Sequence, residues 1–279
     1  MSLLLALGRQ WVAGLRLEDA LMRAGEANSK GIGAIINYLG EHYTRREEVE
    51  ASAEEYDSIL KRIKGSGMDA CISIKLSQIG LTIGEEYCRE MVGGLLERCR
   101  QEGIFLWMDM EGSQYTSATL RIYEECLKTH PETGVALQAN LRRTEEDLRH
   151  LLPRGAIIRL CKGAYREDPS ISFRPRREVD ESFRRLMHIL FQEGDRFALA
   201  THDHRLIQEG LALQEKYNRG LEFQMLLGVR DQLKEELRSM GNPVLEYIPY
   251  GPEWLPYFLR RLRERPRNVF LMARSLVSR

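Results

Sequence analysis

The sequence predicts an α/β protein with a distorted (β/α)8 barrel of the TIM type and a C-terminal helix over the mouth of the barrel. Short apolar runs alternate with longer segments of helix-forming composition, a pattern typical of a parallel sheet with crossover helices. Eight such runs occur, and 279 residues suffice for eight βα units in one closed barrel. An open doubly wound sheet is the alternative, but the glycines of "NSKGIGAIINYLG" precede the first strand, whereas a phosphate-binding turn follows it.

The predicted strands are short apolar runs, and their bounds are 33–39, 70–76, 104–110, 134–139, 156–161, 196–201, 221–226 and 244–250. The segments between them, such as "TEEDLRHLL", have helical spacing. Several carry Thr or Asp near the start and Gly near the end, as helix caps require. The stretch 165–180, "YREDPSISFRPRREVD", contains two prolines and is predicted to be a long loop after the fifth strand.

The chain is predicted to be a single catalytic domain, 1–279, with an N-terminal helical segment over 1–30 and the barrel over 31–279. The start, "MSLLLALGRQWVAGL", lacks a basic residue before its apolar stretch and a clear cleavage site. It is therefore interpreted as a packing helix rather than a signal peptide, with binding to a membrane surface as the alternative. No apolar run is long enough to predict a transmembrane helix.

Composition narrows the functional classes. Lys and Arg together number 41, as do Asp and Glu, so the charge balance does not support nucleic acid as a partner, although it leaves room for a local basic patch. The cysteine count is odd and no pair has CxxC spacing, which favours reduced thiols in a cytoplasmic protein and no metal site. The five are Cys71, Cys88, Cys99, Cys126 and Cys161.

Polar residues stand where the predicted strands end. In a barrel of this type the chemistry lies at the C-terminal ends of the strands. Arg159 and Asp109 are each flanked by apolar residues, so each needs a partner or a ligand. Taken singly, such residues are equally well explained as solvated strand ends, and His202 as a structural hydrogen-bonding residue. The whole set indicates a binding site and comprises Lys75, Asp109, Glu111, Gln138, Asn140, Arg159, Lys162, Gly163, Tyr165, Thr201, His202, Asp203, Gln224, Tyr247 and Tyr250.

The segment "PYFLRRLRER", residues 256–265, carries four arginines. As a helix it places Tyr257, Arg260 or Arg261, and Glu264 on one side, and as the last helix it can dock over the barrel mouth. Two guanidinium groups there can bind a carboxylate or a phosphate. The alternative is a solvated helix whose arginines pair with Glu253 and Glu264.

Eight motifs in order resemble the proline dehydrogenase family. They are "SIKLSQIGL", "MDMEGS", "VALQANLRRTEEDL", "IIRLCKGAYRE", "LATHD", "EFQMLLGVRDQL", "EYIPYG" and "PYFLRRLRER", and the resemblance spans roughly residues 33–272. It implies a compact monofunctional flavoenzyme that oxidises L-proline to Δ1-pyrroline-5-carboxylate, the first step of proline catabolism. It also implies FAD as cofactor, hydride transfer from C5 to flavin N5, and a quinone as electron acceptor.

The resemblance further implies roles for individual residues. The catalytic set is Lys75, Asp109, Arg159 and Tyr247. The substrate-binding set is Lys75, Tyr165, Leu226, Tyr247, Tyr257, Arg260 and Arg261, with the two arginines on the proline carboxylate. The set that binds FAD is Gln138, Arg159, Lys162, Gly163, Ala164, Thr201, His202, Gln224 and Glu264. The bulk of Tyr247 predicts a preference for proline over 4-hydroxyproline, because it crowds a ring hydroxyl.

Asn140, Arg166 and the "MLLG" stretch depart from the family pattern beside the expected flavin site. Two rival functions remain. A barrel lyase or aldolase would use Lys75 or Lys162 as a Schiff-base amine, and a non-catalytic binding protein would use the buried charges structurally. The expected location is the cytoplasm, or the inner face of the membrane as a peripheral protein in contact with its quinone acceptor.

Overall fold

Eight parallel strands form a closed barrel in which each strand pairs with its neighbours in chain order and β8 pairs with β1. The structure is a computed structural model that describes residues 8–264, with side chains described over 8–262. The strands are β1 Gly33–Tyr38, β2 Ala70–Ile74, β3 Leu106–Met108, β4 Thr133–Gln138, β5 Ile157–Cys161, β6 Phe197–Ala200, β7 Glu222–Leu226 and β8 Val244–Tyr250. All eight predicted strands and the predicted barrel are therefore confirmed.

Helices follow the strands and cover the outside of the barrel. They are α1 Leu17–Asn28, α2 Arg46–Ser66, α3 Glu85–Glu102, α4 Ser113–Leu127, α5 Thr144–Leu151, α6 Arg176–Glu193, α7 His204–Tyr217, α8 Asp231–Ser239 and α9 Trp254–Glu264, with a 3-10 turn at Leu152–Arg154. Helix α1 precedes β1, inside the predicted N-terminal helical segment. None of these helices, within residues 8–264, has the length and apolar character needed to cross a bilayer.

Most predicted strands differ from the observed ones by one or two residues in total, and two predicted segments differ by more. Strand β3 is shorter than predicted, because the Ile104 amide is bonded to the Cys99 carbonyl at the end of α3 (2.9 Å) instead of to a strand. The predicted loop 165–180 ends five residues early, where α6 begins at Arg176. Pro175 stands immediately before that residue with φ −61°, where a missing amide hydrogen is tolerated.

The strands separate two apolar regions. Alternate side chains point outwards and pack against the helices, and the others point into the barrel. The interior cluster comprises Ile35, Cys71, Trp107, Ile157 and Ala198. A β-carbon at Gly134 of β4 would lie 2.3 Å from the Trp107 ring, so a glycine there lets the indole fill the barrel. The mouth above this packed layer is where polar side chains collect.

Candidate active site

Asp109 is the centre of a hydrogen-bond network inside the barrel mouth. It follows β3, and its Oδ1 accepts from Ser73 Oγ of β2 at 2.8 Å and from Arg159 Nη1 of β5 at 2.6 Å. Its Oδ2 accepts from the Tyr247 hydroxyl of β8 at 2.6 Å. Four strand ends are thus tied to one carboxylate, and we call Ser73, Asp109, Arg159 and Tyr247 the floor of the site.

Arg159 is almost fully buried, with 5% of its side chain exposed. Its guanidinium carbon lies 4.5 Å from the centre of the Trp107 ring and 5.8 Å from that of Tyr247. Only Nη1 is bonded; Nε and Nη2 have no hydrogen-bond partner among the described residues. Buried N–H groups without partners are costly, so these two point to a polar ligand against the guanidinium.

The Tyr247 hydroxyl is a donor that stays protonated. Burial raises the pKa of Tyr247 well above its ordinary value, and the neighbouring Asp109 carboxylate raises it further. The ring is therefore fixed in the site by a strong hydrogen bond to a carboxylate.

Helix α9 places three of the predicted residues over the floor. Tyr257 is buried, and the Arg260 and Arg261 side chains are partly buried. The Arg260 guanidinium lies 5.5 Å from the centre of the Tyr165 ring, and that of Arg261 lies 5.3 Å from the centre of the Tyr257 ring. We call α9 the lid. The predicted residue Glu264 has a side chain outside the described range.

Arg260 forms an ion pair with Glu41, which lies in the loop after β1. Burial alone would raise the pKa of Glu41, but the hydrogen bond and charge of Arg260 bring that pKa below its ordinary value. The predicted alternative, in which the arginines of this helix are solvated and pair with Glu253, does not hold for Arg260. Glu253 instead accepts a hydrogen bond from the Tyr43 hydroxyl at 2.7 Å.

Lys75 lies just beyond β2 and is 6% exposed. Within residues 8–262 its amine makes no direct hydrogen bond or ion pair, although its charge lowers the pKa values of both Glu41 and Glu111. The net pKa of Glu111 is nevertheless raised, because this carboxyl is buried. A buried ammonium group without a direct counterion is suited to an anionic ligand.

The residues predicted to bind the cofactor stand on β4 to β7, on the other side of the mouth. Gln138 Nε2 donates to the Glu111 carbonyl at 2.9 Å, and Gln224 Nε2 donates to Glu222 Oε1 at 2.6 Å. Gln224 Oε1 has no partner in the described part of the chain. Arg159 pairs in register with the small residue Ala198 of β6, which in turn pairs with Glu222 of β7.

Two residues after β6 have structural contacts. His202 Nε2 accepts the amide hydrogen of Leu226 at 2.9 Å, and Thr201 Oγ1 accepts that of Asp203 at 3.2 Å. Asp203 also begins α7 by accepting the amide hydrogen of Arg205. Burial alone would raise the pKa of Asp203, but hydrogen bonds from Lys162 and Arg176 bring it well below its ordinary value.

Lys162 forms ion pairs with Asp180 and Asp203. Gly163 has φ +101°, and a β-carbon there would lie 2.1 Å from Asn140 Oδ1, so only glycine fits without displacing that amide. Ala164 is exposed. These residues form one rim of the mouth.

Two surface clefts lie elsewhere. One, of about 610 Å³, is lined by residues such as Tyr38, Glu55 and Lys61, and the other, of about 550 Å³, lies between α1 and α8. Neither is lined by a predicted site residue. The polar strand ends at the barrel mouth remain the candidate active site.

A family model described as proline dehydrogenase matches residues 20–273. The chain belongs to the proline dehydrogenase family. Its reaction is therefore the oxidation of proline that begins proline catabolism, and it is an oxidoreductase.

Relatives in this family match most of the chain. Proline dehydrogenase 1 of Bacillus subtilis subsp. natto is 32% identical over 274 residues, which cover 97% of this chain and 91% of that protein. The proline dehydrogenase of Deinococcus radiodurans is 28% identical, with 97% and 90% covered.

Solved structures of proline utilization A share the fold. The enzyme from Bdellovibrio bacteriovorus inactivated by N-propargylglycine superposes with a TM-score of 0.85 at 21% identity, over 92% of this chain and 32% of that one. A mutant from Bradyrhizobium japonicum gives 0.78 at 19% identity, over 92% and 30%. This chain thus spans about a third of those longer proteins, and the likeness shows the barrel.

The buried polar atoms without partners in the described part of the chain fit the polar edge of a flavin. Arg159 offers two N–H donors, and Gln224 and Asn140 each offer a buried oxygen without a partner among residues 8–262. The polar edge of a flavin carries both acceptors and a donor, so this mixture suits it. The Trp107 and Tyr247 rings lie close to the guanidinium and limit the space beside it.

The sequence did not identify three residues of this proline dehydrogenase site. Ser73 lies inside a predicted strand and gives no signal of its own, although it lies two residues before Lys75 and hence on the same face. Trp107 lies in the predicted third strand, and its ring packs on the Arg159 guanidinium. No sequence pattern indicates a site role for Glu41, because its partner Arg260 is 219 positions away.

Proposed function

We propose that this enzyme oxidises L-proline to Δ1-pyrroline-5-carboxylate with FAD as cofactor and a quinone as electron acceptor. The observation that carries the proposal is that positively charged side chains stand at two levels of the mouth, on α9 and on β5. The lid presents Arg260 and Arg261, and beneath it the floor holds Arg159 with two N–H groups unused by the described residues. FAD, when bound, supplies a hydride acceptor at N5 for the hydrogen on C5 of proline.

The lid and Lys75 are suited to the carboxylate of proline. Arg260 of α9 and Lys75, just beyond β2, both lower the pKa of Glu41, so their charges lie near each other. Arg261 stands next to Arg260, and paired guanidinium groups bind a carboxylate with directional hydrogen bonds. We assign the walls around the apolar ring to aromatic and aliphatic side chains from β7, β8, α9 and the loop after β5. These are Tyr165, Leu226, Tyr247 and Tyr257.

The same cations assist the chemistry. Proline must lose the proton on its ring nitrogen before hydride can leave C5. In the protonated form the nitrogen has no lone pair to form the new C=N bond. Positive charges nearby disfavour a protonated amine, so Lys75 and Arg260 promote the reactive form. Asp109 holds the Tyr247 ring and Arg159 in fixed positions, which reduces the reorganisation needed on reaching the transition state.

We assign cofactor binding to the β4–β7 side of the mouth. Arg159 offers a fixed positive charge to the polar edge of the ring system. We assign the same role to Gln138, Lys162, Gly163, Ala164, Thr201, His202 and Gln224, and to Glu264 of α9.

Spectroscopy tests the proposal. Purified protein reconstituted with saturating FAD is expected to be yellow, and anaerobic addition of L-proline should bleach the flavin band. Turnover with a soluble quinone should then exceed turnover with oxygen. Protein that stays colourless with saturating FAD, or a flavin band that proline does not change, contradicts the proposal.

The rival Schiff-base mechanism needs an amine that is not engaged by other groups. Lys162 is ion-paired with two aspartates, which leaves Lys75 as the candidate. Borohydride trapping with a carbonyl substrate distinguishes the two functions, because a flavin-dependent oxidation leaves no adduct on Lys75. A trapped adduct in protein that proline does not bleach would favour the lyase.

The quinone also bears on location. We propose a cytoplasmic enzyme that meets its acceptor at the inner face of the membrane. The outer side of α9 exposes Leu255 and Leu259 by 44% and 43%, which offers apolar contact at a lipid surface. Co-sedimentation with vesicles that contain a quinone tests this; binding no stronger than to quinone-free vesicles of neutral lipid would contradict it.

A further inference from the structure

The lid is held by an apolar cluster that is separate from the core of the barrel. Trp254, Phe258 and Leu262 recur every fourth residue and form one stripe along α9. This stripe packs against residues from three other places in the chain. They are Trp11 and Val12 near the N-terminus, Leu39 after β1 and Val229 after β7.

Trp11 packs directly against the lid. It is 1% exposed, and its ring centre lies 5.8 Å from that of Phe258, which in turn lies 5.6 Å from that of Trp254. A β-carbon at Gly8 would lie 2.9 Å from the Trp254 ring. The segment 8–13, which we call the N-terminal anchor, therefore lies in close contact with the back of α9.

The other side of the N-terminal anchor is fixed to the rim of the barrel. The Ala13 amide donates to the Pro249 carbonyl at 2.9 Å, and the Gly251 amide donates to the Gly14 carbonyl at 3.0 Å. A β-carbon at Gly228, where φ is +66°, would lie 1.8 Å from the Gln10 carbonyl oxygen. The anchor is thus joined to β8, which carries Tyr247, and to the loop after β7, and has little freedom to shift.

Two stripes of α9 are therefore coupled. Phe258 packs against Trp11, and the adjacent Tyr257 belongs to the same buried cluster. The Arg261 guanidinium lies over the Tyr257 ring, and that of Arg260 lies over the Tyr165 ring. A helix moves as a rigid unit over this distance. A change in the packing around Phe258 therefore also moves both guanidinium groups. The anchor precedes the region that the family model matches, which begins at residue 20.

We propose that Trp11 is a positioning residue for the carboxylate of the substrate. By packing against Phe258 it sets the height and rotation of α9, and so the positions of Arg260 and Arg261. The inference rests on the proposed function, in which those arginines bind proline. Trp11 itself is assigned no contact with substrate or cofactor.

The contribution of Trp11 is one of packing. Its indole N–H has no hydrogen-bond partner among residues 8–262. A phenylalanine should therefore retain most of the effect, because it keeps an aromatic ring against Phe258. A leucine should lose it, because the aromatic contact disappears and the volume left behind lets α9 settle differently.

Steady-state kinetics of the full-length, FAD-loaded enzyme test this. Trp11→Leu is expected to raise KM for proline about 3- to 10-fold, the equivalent of losing one aromatic contact, with kcat within about twofold of wild type. Trp11→Phe should stay close to wild type. The dissociation constant of tetrahydrofuran-2-carboxylate, in which a ring oxygen replaces the nitrogen of proline, should shift with KM and needs no turnover.

The matched control is Phe191→Leu. Phe191 is fully buried in the outer core, where it packs edge-on to Phe197 at 4.9 Å, on a helix end far from the mouth. The Phe191→Leu variant should have a lower melting temperature and an unchanged KM for proline. If Phe191→Leu raises KM as much as Trp11→Leu does, general loosening explains the result and the inference fails.

A double-mutant cycle with Phe258→Leu completes the test. If Trp11 acts through Phe258, the two KM effects are not additive, and the double variant resembles the worse single one. Additive effects, or an unchanged KM in Trp11→Leu, overturn the inference. Should Trp11→Leu fail to fold, the same cycle with Trp11→Met decides, because methionine also lacks the aromatic ring but leaves a smaller volume unfilled. A wild-type enzyme that binds neither proline nor the analogue contradicts instead the proposed function.

Discussion

The two arginine sites of this enzyme are built in opposite ways. Arg159 projects from a strand inside the barrel, is 5% exposed, and pairs with a carboxylate held by two further strand residues. Arg260 projects from the last helix, is 21% exposed, and pairs with Glu41 of a loop. The floor is fixed by the register of the sheet, whereas the lid is fixed by packing between the two ends of the chain.

This difference predicts a division of labour. A charge network buried in the sheet cannot change without damage to the barrel, so substitutions there should affect both stability and the chemical step. A lid held by a small cluster and one partly exposed ion pair can move at low cost, so substitutions there should affect substrate affinity. Single substitutions at the floor and at the lid test this division, and their expected effects differ in size.

The largest effect is expected from Asp109→Ala. The substitution leaves Arg159 charged and buried without its counterion, which typically costs about 3–5 kcal/mol. Urea denaturation measures the free energy of unfolding. The matched lid variant is Glu41→Ala, which removes the counterion of Arg260 and should cost about 1 kcal/mol. Similar losses in the two variants would show that floor and lid are equally rigid.

Arg260→Ala should have the opposite signature. Hydrogen bonds to a charged group contribute about 1.5–3 kcal/mol, so KM for proline should rise roughly 10- to 100-fold while the melting temperature changes little. The control is Arg177→Ala, which removes a guanidinium that is 89% exposed on α6. An Arg260→Ala enzyme with normal KM but reduced stability would place this arginine in the structure and not in the binding site.

Substitutions of Tyr247 distinguish the effect of the ring's bulk from the effect of its hydrogen bond to Asp109. Replacing it with serine removes the ring, so kcat/KM for 4-hydroxyproline should rise about tenfold relative to that for proline. Tyr247→Phe keeps the ring, so its preference for proline should match wild type even though the hydrogen bond to Asp109 is lost. Equal kcat/KM values for both substrates in the wild-type enzyme would contradict the steric role of the ring.

The sequence predicted the floor better than the lid contacts, for a physical reason. Period-2 alternation and a charge inside an apolar run are local signals, and they identified Arg159, Asp109 and all eight strands. The arginine face of α9 was also a local, helical signal. The partners of α9 were not, because Glu41 and Trp11 approach it only when distant parts of the chain are folded together. Ser73 cannot be predicted in this way, because a small polar residue within a strand is common and indicates no particular role.

The smallest effects are expected from pH, and they should differ in sign between the two sites. The pKa of Tyr247 is raised in the folded state by burial and then by Asp109, so its contribution to stability is present below the unfolded pKa of about 10 and is lost as pH rises beyond it. The net pKa of Glu41 is lowered by Arg260 against the effect of burial. Its contribution is therefore present above about pH 4.3 and is lost as pH falls below that value.

Differences between wild type and single variants isolate these contributions from those of other groups. The unfolding free energy of wild type minus that of Tyr247→Phe should shrink only on the alkaline side. The same difference for Glu41→Gln should shrink only in acid and stay within about 1 kcal/mol, since the pair is partly exposed. If the Glu41 difference did not depend on pH between about 3 and 7, its carboxylate would not be holding Arg260. The lid would then depend on the contact between Trp11 and Phe258 alone, which would make the N-terminal anchor still more important for substrate affinity.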